Sequence, residues 1–76
     1  MPHAHLRRAR VEELIFAEST IGETAVLQHG EYFVEDAGCT VRLHPGLNDE
    51  RVVTEVAVPA FDAWLTKRQL VFLSWS

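Results

Sequence analysis

Closely spaced turn signals constrain this chain more than any other feature. Breaks fall at Gly22, His29-Gly30, Asp36-Ala37-Gly38 and Pro45-Gly46, so the middle of the sequence holds only short runs between them. Runs of that length suit strands, and strands joined by tight turns pair antiparallel. Thr24–Gln28 and Glu31–Glu35 flank His29-Gly30, which predicts a hairpin because Gly30 can take a positive φ. Thr40–His44 alternates, with Val41 and Leu43 on one face and Thr40, Arg42 and His44 on the other. Leu47–Glu50 reads as an exposed loop. Val52–Val58 is the next strand, with Val52, Thr54, Val56 and Val58 sharing a face.

Helices are expected on either side of this strand-rich middle. Val11, Leu14, Ile15 and Glu18 fit the i, i+3, i+4, i+7 template, which predicts a helix from Leu6 to about Glu18, ended by Gly22. The rival reading makes Leu14–Ala17 a strand, since Phe16 sits off the helical stripe. Pro59 opens a second helix with Phe61, Trp64 and Leu65 on its apolar face and Lys67 and Arg68 in its last turn. Leu70–Trp75 is a near-continuous apolar run and reads as a final strand of open direction. The expected fold class is therefore α+β. It is a two-layer sandwich of two amphipathic helices on a small, mainly antiparallel sheet, in the order α-β-β-β-β-α-β. Seventy-six residues allow one domain, 1–76, with 1–5 frayed.

Several classes are excluded by composition. Cys39 is the only cysteine, so no intrachain disulfide can form. No apolar run approaches the roughly 20 residues of a membrane span. Met1–Arg8 is followed by no apolar stretch of the kind a secretory signal needs. With a lone thiol, this points to the cytoplasm.

The chemistry-bearing residues form no recognisable catalytic set. His3, His5, Cys39 and His44 could supply zinc ligands, but the five-residue step from Cys39 to His44 is no zinc knuckle. Cys39 has no Cys-x-x-Cys partner, helix N-terminus or adjacent base in sequence, so pairing it with His29 or His44 gives a poor nucleophile. Glycine-rich phosphate loops and a nucleophile elbow are absent. The expectation is a non-enzymatic chain with no cofactor and no metal.

Charge, by contrast, is strongly segregated. Residues 1–10 carry Arg7, Arg8 and Arg10 and no acid; residues 11–36 carry Glu12, Glu13, Glu18, Glu23, Glu31, Glu35 and Asp36 and no base. The remainder balances, and the total is −4. Such a segment repels nucleic acid and favours a basic protein surface. The expected function is a small inhibitor or modulator that presents acids to a basic, nucleic-acid-handling partner protein, as phage or mobile-element proteins of this size and charge do. Glu12, Glu13, Glu18, Glu31, Glu35 and Asp36 would accept hydrogen bonds from Arg or Lys, and Tyr32 would anchor the contact. Aromatic residues alternating across both faces of a strand add the expectation of a homodimer through an open sheet face. The alternative is a self-associating, antitoxin-like subunit using Arg7, Arg8 and Arg10 towards DNA or a partner.

Overall fold

In the computed structural model, which describes residues 6–45 and 51–73, the chain is dominated by antiparallel sheet and carries a single short helix. The strands are β1 (Leu6–Val11), β2 (Ile15–Glu18), β3 (Thr24–Leu27), β4 (Gly30–Asp36), β5 (Thr40–His44), β6 (Thr54–Ala57) and β7 (Leu70–Phe72), with α1 (Val58–Thr66) between the last two. Five of them form one sheet in the order β6-β5-β4-β1-β7, and β2 and β3 form a separate two-stranded hairpin. The expected loop at Leu47–Glu50, residues 1–5 and the end of the last apolar run lie outside the described residues.

This corrects the expected fold: the first of the two helices does not exist. Its place is taken by β1 and β2. The reason is visible in burial, which has period two: Ala9 and Val11 are buried between exposed Arg8, Arg10 and Glu12, and Ile15 and Ala17 are buried beside exposed Phe16 and Glu18. Phe16 is off the helical stripe because it belongs to the outer face of a strand. β1 is a central strand, paired along its length with β4 and, over Ala9–Val11, with β7. Those pairings satisfy backbone groups that a helix would have satisfied internally.

The His29-Gly30 hairpin is also corrected. β3 pairs with β2, in register Phe16↔Val26 and Glu18↔Thr24, while β4 pairs with β1. The chain therefore leaves one sheet at Gln28 and joins the other at Gly30, whose φ of +148° is open to glycine and costly for other residues. The true hairpin turn is Ser19–Glu23. Ser19 Oγ accepts the backbone N–H groups of Ile21 and Glu23, and Gly22 takes φ +87°.

Residues paired across a ladder share a face, so the register sorts the five-stranded sheet. Ala9, Val11, Val34, Val41, Leu43, Thr54, Val56, Leu70 and Phe72 point inwards. Phe61 and Trp64 of α1 and Ile15, Ala17 and Leu27 of the hairpin complete one core with them. Helix and hairpin thus cover the same face. Phe61 meets both Trp64 and Phe72, with ring centroids 6.0 and 5.9 Å apart. The end of α1 differs from expectation: the helix stops at Thr66, and Lys67 and Arg68 lie beyond its last turn. Arg68 takes φ +63°, its N–H donates to Leu65 O and that of Gln69 to Trp64 O, which is a Schellman cap. The C-terminal strand, open in direction from sequence, runs antiparallel to β1.

Candidate surface for protein recognition

The acidic segment does not fold into one face. Its members divide between two regions, and the division follows from strand alternation. On the outward side of the five-stranded sheet, successive strands carry opposite charge: Arg8 and Arg10 on β1, Glu31 and Glu35 on β4, Arg42 on β5 and Glu55 on β6. Arg8 reaches Glu31 at 3.1 Å; Arg42 lies 3.8 Å from Glu35 and 3.4 Å from Glu55. His44, the most buried member at 9% exposure, places Nε2 2.8 Å from Glu35 and Nδ1 3.1 Å from the Arg51 carbonyl. The Thr40 hydroxyl donates to Glu55 and, with Arg42, holds that carboxyl below its ordinary pKa against the opposing effect of desolvation.

These contacts neutralise three of the expected partner-binding acids. Glu31 and Glu35 lie inside the ladder, and Glu12 is bonded to Arg10 at 2.6 Å just past the end of β1. Asp36 ends β4, exposed and directly opposite Val41. Tyr32 faces inwards beside Ala9 and packs on the core, with its hydroxyl donating to the Gln28 carbonyl at 3.1 Å. It is rim packing, half-buried. The arginine cluster is divided as well: Arg8 and Arg10 face outwards, whereas Arg7 stacks over the Phe72 ring, 4.1 Å from its centroid, on the other side of the sheet. Leu6, Phe33 and Val71 share the outward face but are half-buried. That face therefore presents a ladder of ion pairs with only partly covered apolar residues between.

The second region is the hairpin. Glu13, Glu18 and Glu23 make no ion pair among the described residues, and all three are exposed. Between them lie the large exposed apolar side chains: Leu14 (49%), Phe16 (69%), Ile21 (78%) and Val26 (46%). Phe16 and Val26 are directly opposite each other on the outer face, and Ile21 stands at the turn. Val52 and Val53, the other two large exposed apolar side chains among the described residues, meet the turn across a cavity of about 380 Å³ lined also by Ser19, Glu23 and Thr54. The turn is fixed there by the Thr20 N–H, which donates to Glu55 O at 2.9 Å.

No family model, curated protein or solved structure matches this chain. Among the described residues no group of three or more His, Cys, Asp or Glu comes together in a way that could hold a metal ion. Cys39 is exposed, in the turn between β4 and β5; His3 and His5 lie outside the described residues. Among the same residues, no helix is long and apolar enough to cross a membrane.

Glu13 and Glu18 are candidate contacts from the sequence, whereas the apolar side chains beside them are not. Phe16 and Leu14 were absorbed into a supposed helix, and Ile21 stood unremarked before Gly22. The available signal was the alternation Ile15-Phe16-Ala17-Glu18, in which a large aromatic shares a face with an acid.

Proposed function

We propose that this chain is a protein-binding module, an inhibitor or modulator of a basic partner, and that it binds through the outer side of the β2–β3 hairpin. The observation that carries this reading is a coincidence of features on one element. Among the described residues, each of the six large exposed apolar side chains lies on the hairpin, just before it or opposite its turn, and the acids among them, Glu13, Glu18 and Glu23, make no ion pair. An exposed apolar strip costs free energy in water and is commonly covered by a partner. Unneutralised carboxylates at its rim select a basic surface and steer its approach. By contrast, the ladder on the sheet spends its charges internally: Arg8 and Arg10 share the outward face but are paired with Glu31 and Glu12, and Arg7 lies on the opposite face over Phe72.

The test is to use the protein as bait in extracts of the cells that make it and to identify what is retained. Four baits suffice: the native chain, Phe16→Ser with Val26→Ser, Glu13→Lys with Glu18→Lys, and Glu31→Gln. The expected result is a basic protein held by the native chain and by Glu31→Gln, lost from both hairpin variants, and released above about 0.3 M salt, where the screening length is near 6 Å. Equal retention by the hairpin variants would refute the proposal.

A further inference from the structure

We propose that the cavity at the hairpin turn is a receptor for one arginine side chain of the partner; this rests on the reading above and names the chemistry of its central contact. The cavity, at about 380 Å³, lies at the small end of the range for ligand clefts. Its size suits one long side chain better than a free cofactor or nucleotide. Its walls are of two kinds. Ile21, Val52 and Val53 are apolar and wet, which suits the methylene stem of arginine. Glu23 supplies a carboxylate with no ion pair among the described residues. Glu55 also lines the cavity, but its carboxylate is already bonded to Thr40 and Arg42 on the far side of β6.

A second observation points the same way. Thr54, only 5% exposed, stands in the cavity wall, and its Oγ1 has no hydrogen-bond partner among the described residues. Buried hydroxyls without partners are rare in folded chains, and each calls for a physical reason. Ser19 Oγ, by contrast, already accepts two backbone N–H groups and has no spare acceptor site. Among the described residues the cavity thus offers Glu23 as an acceptor and no cation lines it, while the unpaired Thr54 Oγ1 is closed to solvent in a residue of its wall and would accept only if the wall opened. A guanidinium presents several donors at fixed angles, which allows it to bond a carboxylate and a neighbouring hydroxyl together.

The experiment is an NMR titration of the ¹⁵N-labelled full chain with N-acetylarginine amide and, separately, with its neutral isostere N-acetylcitrulline amide. The expected result is shifts at the amides of Ile21–Thr24 and Val52–Glu55, with arginine at least fivefold tighter than citrulline. Glu23→Gln should weaken arginine about fivefold and leave citrulline unchanged, while a preserved spectrum elsewhere confirms that it folds. Equal response to the two compounds, shifts confined to other regions, or full arginine affinity in Glu23→Gln would overturn the proposal. Adding Glu23→Gln as a fifth bait separates this failure from that of the wider reading. If Phe16→Ser with Val26→Ser abolishes capture but Glu23→Gln does not, the hairpin surface stands and the arginine receptor falls.

Discussion

Replacing Thr54 by Val should make the isolated protein more stable. Thr54 sits on β6 facing the core, opposite Leu43, at 5% exposure and with its hydroxyl unpaired among the described residues. A buried polar group without a partner costs about 1–3 kcal/mol. Valine keeps the shape and the β-branch, so the side-chain torsion and strand preference are little changed. The exchange removes the penalty and adds one buried methyl. A gain of about 1–2 kcal/mol follows, at the lower end if the core must move to admit the methyl group. For a domain of this size each kcal/mol moves the melting midpoint by about 4–8 °C, so a rise of roughly 4–16 °C is expected. The assay is thermal unfolding by circular dichroism together with urea titration, in which the slope should stay constant while the midpoint rises. An unchanged or lower midpoint at constant slope would show that the hydroxyl is satisfied in solution and gives no support to an arginine receptor.

Three further predictions rest on single contacts. Trp64→Ala should cost about 3–5 kcal/mol, because Trp64 is 8% exposed and joins α1 to the sheet core; a native-like denaturation midpoint would contradict its placement. Arg68→Gly should stabilise by about 0.5–1 kcal/mol, since Arg68 holds the left-handed cap position at φ +63°, and urea unfolding measures it. Glu55, whose pKa is lowered by the Thr40 hydroxyl and then by Arg42, ionises more readily folded than unfolded. Its contribution to stability is therefore complete above the unfolded carboxylate pKa and disappears as pH falls through the lower folded value. In Thr40→Val the carboxyl should titrate nearer its ordinary value, as read by carbon-detected NMR; an unmoved titration would remove Thr40 as the cause.

Two elements in the second half of the chain were legible because each carries one clear period. Thr40–His44 alternates cleanly, and Val41 and Leu43 are buried as that alternation requires. Pro59 opens a helix whose Phe61 and Trp64 face inwards, because a proline in the first turn gives up no hydrogen bond. The first half misled for a physical reason. Val11 and Ile15 are four apart, a step that suits one face of a helix and equally two strands in phase across a short connection. Arg7, Arg8 and Arg10 carry helix-compatible local preference, and the decision came from distant pairing with β4 and β7. Gly30 looked like a hairpin turn because the two runs beside it are strands; that they pair with β2 and β1 is a tertiary fact no local pattern contains. Charge was misread for the same reason. Glu31 and Glu35 meet Arg8, Arg42 and His44 only once the strand order is known, whereas Glu18 and Glu23, on the separate hairpin, make no ion pair among the described residues.

The claim on which the account depends is that recognition belongs to the hairpin and not to the acidic segment as a whole. The most direct measurement is calorimetric titration of the captured partner with two variants matched in net charge, Glu18→Gln with Glu23→Gln and Glu31→Gln with Glu12→Gln. At least a tenfold loss of affinity in the first pair and less than a twofold change in the second is the outcome expected, each variant keeping its native fold. Comparable losses in both pairs would mean that diffuse negative charge does the work, and a loss confined to the second would place the contact on the sheet.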